Sequence, residues 1–480
     1  MRTAARLAGA CGMRRAAPGT GGGRAGVTAL RLQRRPICRL GLVAVVVAAA
    51  ACTIVAAAPA ELYVGGTQVH ERDLDRWAEA LHDAGLNTVS ATVYAHQGDW
   101  DDDHLWYADE EPSVVAEIRA AKARGLRVVL ILRVALDHAF PRNEFLWHGM
   151  IMPASEAALR SWFEQYARFA LLWAGIAERE GVDVLGVGSE LNELDETLPL
   201  SRWGNLKNYH GHAWYQRLSR RRALRFADRI EERHLGVSGR ESYADLEQLL
   251  DARFRSQIAW GKQVHLRRGP HTLRRVNARR VLINERWVEL IERVRAVYSG
   301  RLTFAANFDS YRAVGFWRQL DLIGINAYFP LRPNLEAPRT VEAFAASWRT
   351  ILDRVRELRR AQGLGDRPLL LTEIGYTFRR HSTVEPWNHE GFAVVGWKRH
   401  AREFVVWGDE PVDREERARA LAGLRRASRE RPGELAGLLY WKLSTDAAHD
   451  AIEPFVIHVG PGSGDPALPV LAGFGVESSP

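Results

Sequence analysis

Two glutamates follow strongly apolar runs, Glu190 at the end of VDVLGVGSE and Glu373 within LLLTEIGY. A carboxylate next to a buried apolar run is costly unless it has a partner or a function. Two carboxylates that converge in a cleft suit the cleavage of a glycosidic bond. One protonates the leaving oxygen, and the other attacks the anomeric carbon or activates water. A rim salt bridge would explain either glutamate alone, so the hypothesis rests on the pair.

Aromatic, amide and guanidinium side chains follow other apolar runs or lie in the loops beside them. Trp and Tyr offer flat faces to sugar C–H groups, and Asn both donates to and accepts from hydroxyls. For any one of these residues, packing is as good an explanation as ligand contact. The candidate substrate-binding residues are Arg133, Trp147, Asn307, Asn326, Tyr328 and Trp441.

Arg133 and Tyr328 have further interpretations. Arg133 either clamps a substrate carboxylate or pairs with Glu190 or Asp137. Tyr328 stands where its hydroxyl would donate a hydrogen bond to Glu373 and keep that carboxylate ionised.

The elements that must position these residues alternate between apolar strands and amphipathic helices. Helices are predicted at 71–84, 113–124, 155–180, 284–298, 340–362 and 413–431. Strands are predicted at 61–66, 87–95, 126–134, 182–190, 301–308, 320–329, 367–375 and 437–444. Eight such strands indicate an α/β fold, a (β/α)8 TIM barrel over residues 61–446, in which catalytic groups lie at the carboxyl ends of the strands. A doubly wound open sheet is the alternative, but no glycine-rich phosphate loop follows the first strand.

Residues 194–283 interrupt this alternation with a long, arginine-rich and mostly helical insertion after strand four. Two interpretations stay open. The segment is either a set of solvated helices packed on the barrel rim, or a lid over the cleft that strand-end loops build. Residues 447–480 form a C-terminal tail.

Residues 1–60 form a basic leader with nine Arg, no Lys and no acidic residue. Subtracting these nine from the 66 basic residues leaves 57 against 58 acidic ones, so no nucleic-acid partner is predicted. The apolar segment 41–58 follows arginines and precedes the small residues APA, which is the order of an export signal. The same segment has the length of a minimal membrane anchor. We therefore expect an exported protein, which is periplasmic, secreted or membrane-anchored and facing outward.

The three cysteines lie in this leader, so thiol catalysis, zinc–thiolate sites and disulfides are excluded from residues 61–480. The acidic stretch 95–112 contains carboxylates and histidines, but a hydrated loop explains it without a metal, and neither a metal nor a cofactor is predicted. No Gly-x-Ser-x-Gly or His-Glu-x-x-His motif is present.

The sequence resembles glycoside hydrolase family 113 over about residues 71–193 and again over about 284–446. The motifs are WHGMIMP with WFEQYARF, GIAEREGVDVLGVGSEL, FAANFD, FWRQLDLIGINAYFPL and LLLTEIGY. The family resemblance implies a retaining β-mannanase on a barrel, with Glu190 as acid/base and Glu373 as nucleophile. Gly188-Ser189-Glu190-Leu191 departs from the family's usual Gly-Thr-Glu-Leu, and the insertion leaves the choice of sugar open.

Two functions follow. The first is a retaining glycoside hydrolase that cleaves β-linked oligo- or polysaccharides, with β-1,4-mannan as the leading substrate. The second is a non-catalytic glycan-binding or cell-envelope protein on the same scaffold. Convergence of Glu190 and Glu373 distinguishes the two, because only the enzyme requires it.

Overall fold

The computed structural model describes residues 61–107, 110–202, 213–229, 243–264, 270–395 and 403–475. The basic leader and the apolar segment 41–58 lie outside these residues, and the export signal or anchor remains a prediction. Within the described residues, no helix is long and apolar enough to cross a membrane.

Eight parallel strands close into a barrel, as predicted. They are β1 (Tyr63–Gln68), β2 (Thr88–Gln97), β3 (Arg127–Leu136), β4 (Val184–Ser189), β5 (Arg301–Asn307), β6 (Ile323–Asn326), β7 (Leu369–Ile374) and β8 (Leu435–Ser444). Each strand pairs with the next along the chain, and β8 pairs with β1 to complete the circle. Because the strands are covered on both faces, their sequences are almost continuously apolar.

Helices in the described ranges surround the barrel or build on its rim. They are α1 (Leu74–Asp83), α2 (Glu111–Ala123), α3 (Glu156–Arg179), α4 (Asn192–Asp195), α5 (Ala213–Leu224), α6 (Leu246–Val264), α7 (Pro270–Arg295), α8 (Val341–Gln362), α9 (Arg414–Arg429) and α10 (Ala467–Ala472). Local sequence explains their ends. The Ser155 hydroxyl accepts the Ala158 N–H at the start of α3, and Gly363 adopts a left-handed conformation at the end of α8.

The barrel interior and its outer layer form two separate apolar clusters. Inside the barrel, small and branched side chains such as Val129, Ile131 and Ala305 fill the lumen. Outside, the strands pack against the helices through a much larger cluster that includes Trp162 and Trp287. The packed lumen leaves the mouth at the carboxyl ends of the strands as the place for a site.

The structure corrects several predicted boundaries. Strand β6 covers Ile323–Asn326 rather than 320–329. Beyond it, Ala327 still donates its backbone N–H to the carbonyl oxygen of Glu373, and Tyr328 and Phe329 are buried, so apolar burial extends past the strand itself. The helix predicted at 284–298 is the second half of α7, which begins at Pro270 inside the insertion. The many arginines in its first half obscure the helical spacing of its apolar residues in the sequence. An antiparallel hairpin of Phe392–Val395 and Glu403–Val406, in the loop after β7, was not predicted.

Candidate active site

The two predicted glutamates meet at the mouth of the barrel. Glu190 directly follows β4, has a φ of 51° and donates its backbone N–H to the carbonyl oxygen of Ala305 over 2.9 Å. Glu373 lies near the end of β7. Their exposed fractions are only 8% and 6%, so both carboxylates are largely removed from water.

Arg133, near the end of β3, joins the two carboxylates. Its Nη2 atom lies 3.5 Å from Glu190 Oε2 and donates a hydrogen bond to Glu373 Oε1. The Asp137 carboxylate instead accepts the backbone N–H of Ala139 over 2.7 Å. Of the partners considered for Arg133, the structure therefore shows Glu190 and adds Glu373. Since a buried guanidinium is shared between two carboxylates, it holds them close together without neutralising both.

Asn326 lies beneath this pair and is fully buried. Its Nδ2 donates to the Ser189 hydroxyl over 3.3 Å, and its Oδ1 accepts the Thr372 hydroxyl over 2.7 Å. Ser189 also accepts a hydrogen bond from Arg133 Nε over 3.2 Å. These bonds connect the ends of β3, β4, β6 and β7 under the carboxylates. The structure thus gives Asn326 a positioning contact, and its predicted contact with sugar remains untested.

Tyr328 makes the hydrogen bond that its position predicts. Its hydroxyl donates to Glu373 Oε2 over 2.8 Å, so Glu373 receives one hydrogen bond from Tyr328 and one from Arg133. His148 Nε2 lies 3.0 Å from Glu190 Oε2. Sequence reasoning missed His148, although it directly follows the predicted Trp147 in the loop after β3.

Burial and mutual charge divide the titration of the two carboxyls. Burial raises the pKa of Glu373 to about 7, the charge of Glu190 adds to this rise, and Arg133 and the Tyr328 hydroxyl oppose it. Burial also acts to raise the pKa of Glu190, but the hydrogen bond from His148 and the charge of Arg133 outweigh it and lower that pKa to about 2. Between these values the pair holds one proton, the number that acid-assisted glycoside cleavage requires, and that proton lies on Glu373. The Tyr328 hydrogen bond therefore does not keep Glu373 ionised, as the sequence predicted, because burial outweighs it.

The remaining predicted residues surround the pair. The Trp441 ring lies 5.2 Å from Arg133 Cζ, and Lys442 Nζ lies 3.8 Å from the centroid of the same ring. Sequence reasoning also missed Lys442. Burial lowers the pKa of its ammonium group to about 8. The half-buried Trp147 ring meets His148 edge-on at 5.0 Å.

Asn307 ends β5 in register with Asn326, which is itself in register with Glu373. The Asn307 Oδ1 accepts the backbone N–H of Phe308 over 2.8 Å. The structure therefore brings all the predicted site residues to one end of the barrel. Their contacts with substrate remain predictions.

A closed (β/α)8 barrel with converging carboxylates after β4 and β7 has the architecture of a glycoside hydrolase. Comparison with known families supports that class. The model of glycoside hydrolase family 113 matches residues 69–262 and 276–401. The chain therefore belongs to glycoside hydrolase family 113, and it is a glycoside hydrolase. The convergence of the carboxylates and the family match remove the support for the non-catalytic alternative.

Solved structures show the same fold at low sequence identity. A family 113 β-mannanase from Alicyclobacillus acidocaldarius is 19% identical, with a TM-score of 0.53 over 87% of this chain and 98% of its own. A second family 113 β-1,4-mannanase is 15% identical, with a TM-score of 0.53 over 87% of this chain and 99% of its own. A search of curated proteins found no match.

Proposed function

We propose that the protein is a retaining glycoside hydrolase of β-linked glycans, with β-1,4-mannan as its substrate. In the first step Glu373 attacks the anomeric carbon while Glu190 protonates the leaving oxygen, which gives a glycosyl-enzyme and a free leaving group. In the second step Glu190 removes a proton from water, and the water displaces Glu373.

The contact of one Arg133 nitrogen with both carboxylates carries the proposal. Two oxygens that share a nitrogen in this way lie within roughly 6 Å of each other. Retaining enzymes separate their carboxyl groups by about 5–5.5 Å, whereas inverting enzymes need about 6.5–9.5 Å to admit a water molecule. Family membership and the β-mannanase activity of the two solved relatives support mannan as the sugar.

The first step needs the shared proton on Glu190, whereas without substrate the pKa order of the two carboxyls places it on Glu373. Substrate must therefore reverse that order. As the anomeric carbon gains positive charge, it favours the ionised form of Glu373. A glycosidic oxygen that replaces His148 next to Glu190 removes the contact that lowers the pKa of Glu190, so that pKa rises.

Glu190→Gln and Glu373→Gln test the assignment. Each should lower kcat on mannan by about 10²–10⁴-fold, the usual contribution of a positioned acid, base or nucleophile. Glu190→Gln should keep its first step on an aryl mannoside whose leaving group needs no proton, but Glu373→Gln should not. Glu164→Gln, at an exposed ion pair with Arg293, is the control and should match the wild type.

The anomeric configuration of the first-formed product, observed by NMR, tests retention. A β-configured product is expected. An α-configured product would overturn the retaining mechanism, and full activity in both glutamine variants would overturn the site assignment.

We also propose that the protein is exported, on the order of arginines, apolar residues 41–58 and small residues in the leader. Fractionation of cells that express the full chain tests this. N-terminal sequencing of the exported form distinguishes a cleaved signal from a retained anchor.

A further inference from the structure

We infer that the insertion after β4 and the loop after β7 form a continuous wall along half of the barrel mouth. The wall restricts the enzyme to short β-manno-oligosaccharides and to chain ends. The rim wall, as we call it, consists of the loop 137–155 after β3, the helices α5 and α6, and the described parts of the loop 375–412 after β7. The inference rests on the proposed function, because it specifies which form of that substrate reaches the two glutamates.

A single apolar cluster joins the three parts of the rim wall. Leu249 and Leu250 of α6 and Ala223 of α5 form its buried centre. Phe145 from the loop after β3 and Phe392 from the hairpin after β7 pack against this centre. Strands β3 and β7 are four strands apart in either direction around the closed barrel, so they lie on opposite sides of it. The centre of this cluster comes from the insertion between β4 and β5, so the cluster extends around the half of the mouth that contains β4, β5 and β6.

Polar contacts hold the insertion to the loop after β3. The Tyr243 hydroxyl donates to Glu144 Oε1 over 2.6 Å. The fully buried Trp260 of α6 donates its indole N–H to the carbonyl oxygen of Met150 over 2.9 Å. Met150 lies two residues beyond His148, whose imidazole contacts Glu190. This end of the rim wall is thus built on the segment that carries a residue of the site.

Aromatic stacking holds the insertion to the loop after β7. The Phe226 ring, just after α5, stacks on Phe404 of the hairpin at 5.1 Å with an interplanar angle of 16°. The loop after β7 also contacts the end of β5. There the Trp387 ring stacks on Phe308 with a centroid distance of 5.0 Å and an interplanar angle of 17°. Trp387 remains 41% exposed, so part of its ring is still open to solvent beside the end of β5.

The consequence for substrate concerns the two ends of the cleft. A polysaccharide cleaved at an internal bond must leave the cleft in both directions. A wall from β3 past β4, β5 and β6 to β7 obstructs one of these directions. Helix α6 also contacts the loop after β2, where Gln263 Nε2 donates to Asp101 Oδ2 over 2.7 Å, so the side of β8 and β1 is left for entry. Short oligosaccharides and chain ends fit such a site, whereas internal bonds of a long chain do not.

The test compares the wild-type enzyme on linear mannan and on mannotetraose. We expect the viscosity of the mannan solution to fall slowly relative to the number of reducing ends released. We also expect products of a single short length from the start of the reaction. A rapid fall in viscosity with a ladder of products, together with mannotetraose hydrolysis, would overturn the rim wall and leave the proposed function intact. No hydrolysis of either glycan would overturn both.

A variant of the wall adds a second measurement. Phe226→Ala with Phe404→Ala removes the stacked junction and should raise the ratio of mannan to mannotetraose turnover several-fold. Leu218→Ala, an exposed side chain on α5, is the matched control and should leave the ratio unchanged. If the double variant fails to fold, Tyr243→Phe keeps the aromatic ring, removes the hydroxyl that donates to Glu144, and should also raise this ratio. An unchanged ratio in every folded wall variant would contradict the inference.

Discussion

At the scale of single residues, Glu190 combines an unusual backbone with an unusual electrostatic setting. A φ of 51° is uncommon for a residue other than glycine and costs of order 1 kcal/mol, so the surrounding structure must maintain it. The hydrogen bond between its backbone N–H and Ala305 does so at the end of β4. His148 and Arg133 then lower the pKa of its carboxyl to about 2, although burial acts in the opposite direction.

Replacement of His148 by Ala should change the pH profile of kcat/KM. The wild-type kcat/KM should fall above pH about 7, because the pair of carboxyls loses its last proton there. Toward acidic pH it should stay constant as long as Glu190 is ionised. Without His148, the pKa of Glu190 loses a lowering contact and rises, so the acidic limb moves to higher pH. Rates on mannotetraose from pH 3 to 9 measure this shift.

His82→Ala is the control for that profile, because His82 is exposed on α1. The acidic limb of the wild type lies below this pH range, so a His148→Ala profile that coincides with the wild-type profile down to pH 3 would show that the imidazole does not act on Glu190.

At the scale of elements, α7 connects the insertion to the barrel wall. Its fully buried Trp287 packs edge-on against Phe163 of α3 and Phe304 of β5. The Trp287 indole N–H donates to the carbonyl oxygen of Leu194 over 2.6 Å, directly after the β4 end that carries Glu190. This one side chain therefore fixes the start of the insertion, the helix that ends it and the outer face of β5.

Trp287→Ala should lower the free energy of unfolding by about 3–5 kcal/mol, because it leaves a large cavity and an unpaired buried carbonyl. Denaturant unfolding followed by circular dichroism measures the change. Val281→Ala on the same helix, where the side chain is 45% exposed, should change the free energy by less than about 0.5 kcal/mol. Equal stability of the two variants would show that α7 is not anchored through Trp287.

At the scale of the whole molecule, the chain after β8 packs back onto the closed barrel. The short strand Ile457–His458 pairs with the end of β8, and Leu471 and Phe474 join the core cluster. Arg417 of α9 is fully buried and ion-paired with Asp465 in this segment. The segment is thus tied to the barrel by a charge that water does not reach.

Asp465→Ala should destabilise the folded state by about 3–5 kcal/mol, because it leaves the Arg417 guanidinium buried without its carboxylate. The midpoint of thermal or denaturant unfolding reports the loss. Glu430→Ala breaks the exposed pair with Arg349 and should leave the midpoint unchanged. A comparable drop in both variants would argue against a special role for the buried pair.

Much of the fold and of the candidate site is readable in short stretches of sequence. Apolar runs that end in Gly-Ser-Glu and Thr-Glu predict both the strands and the carboxylates at their ends, because a strand and its last residue are neighbours in the chain. The first half of α7 and the hairpin after β7 were not recognised. The many arginines of α7 obscure the helical spacing of its apolar residues. A hairpin strand of four residues is too short for its alternation of side chains to be recognised in the sequence.

The sequence by itself determined the barrel, the order of its elements and the two glutamates that it presents, since these depend on local periodicity and on strand ends. Only the tertiary structure decided that His148 contacts Glu190, that one Arg133 nitrogen serves both carboxylates, and that Phe145 and Phe392 meet on one apolar cluster. These contacts join residues far apart in the chain. They follow from the closure of the barrel and the packing of its loops, which no local pattern encodes.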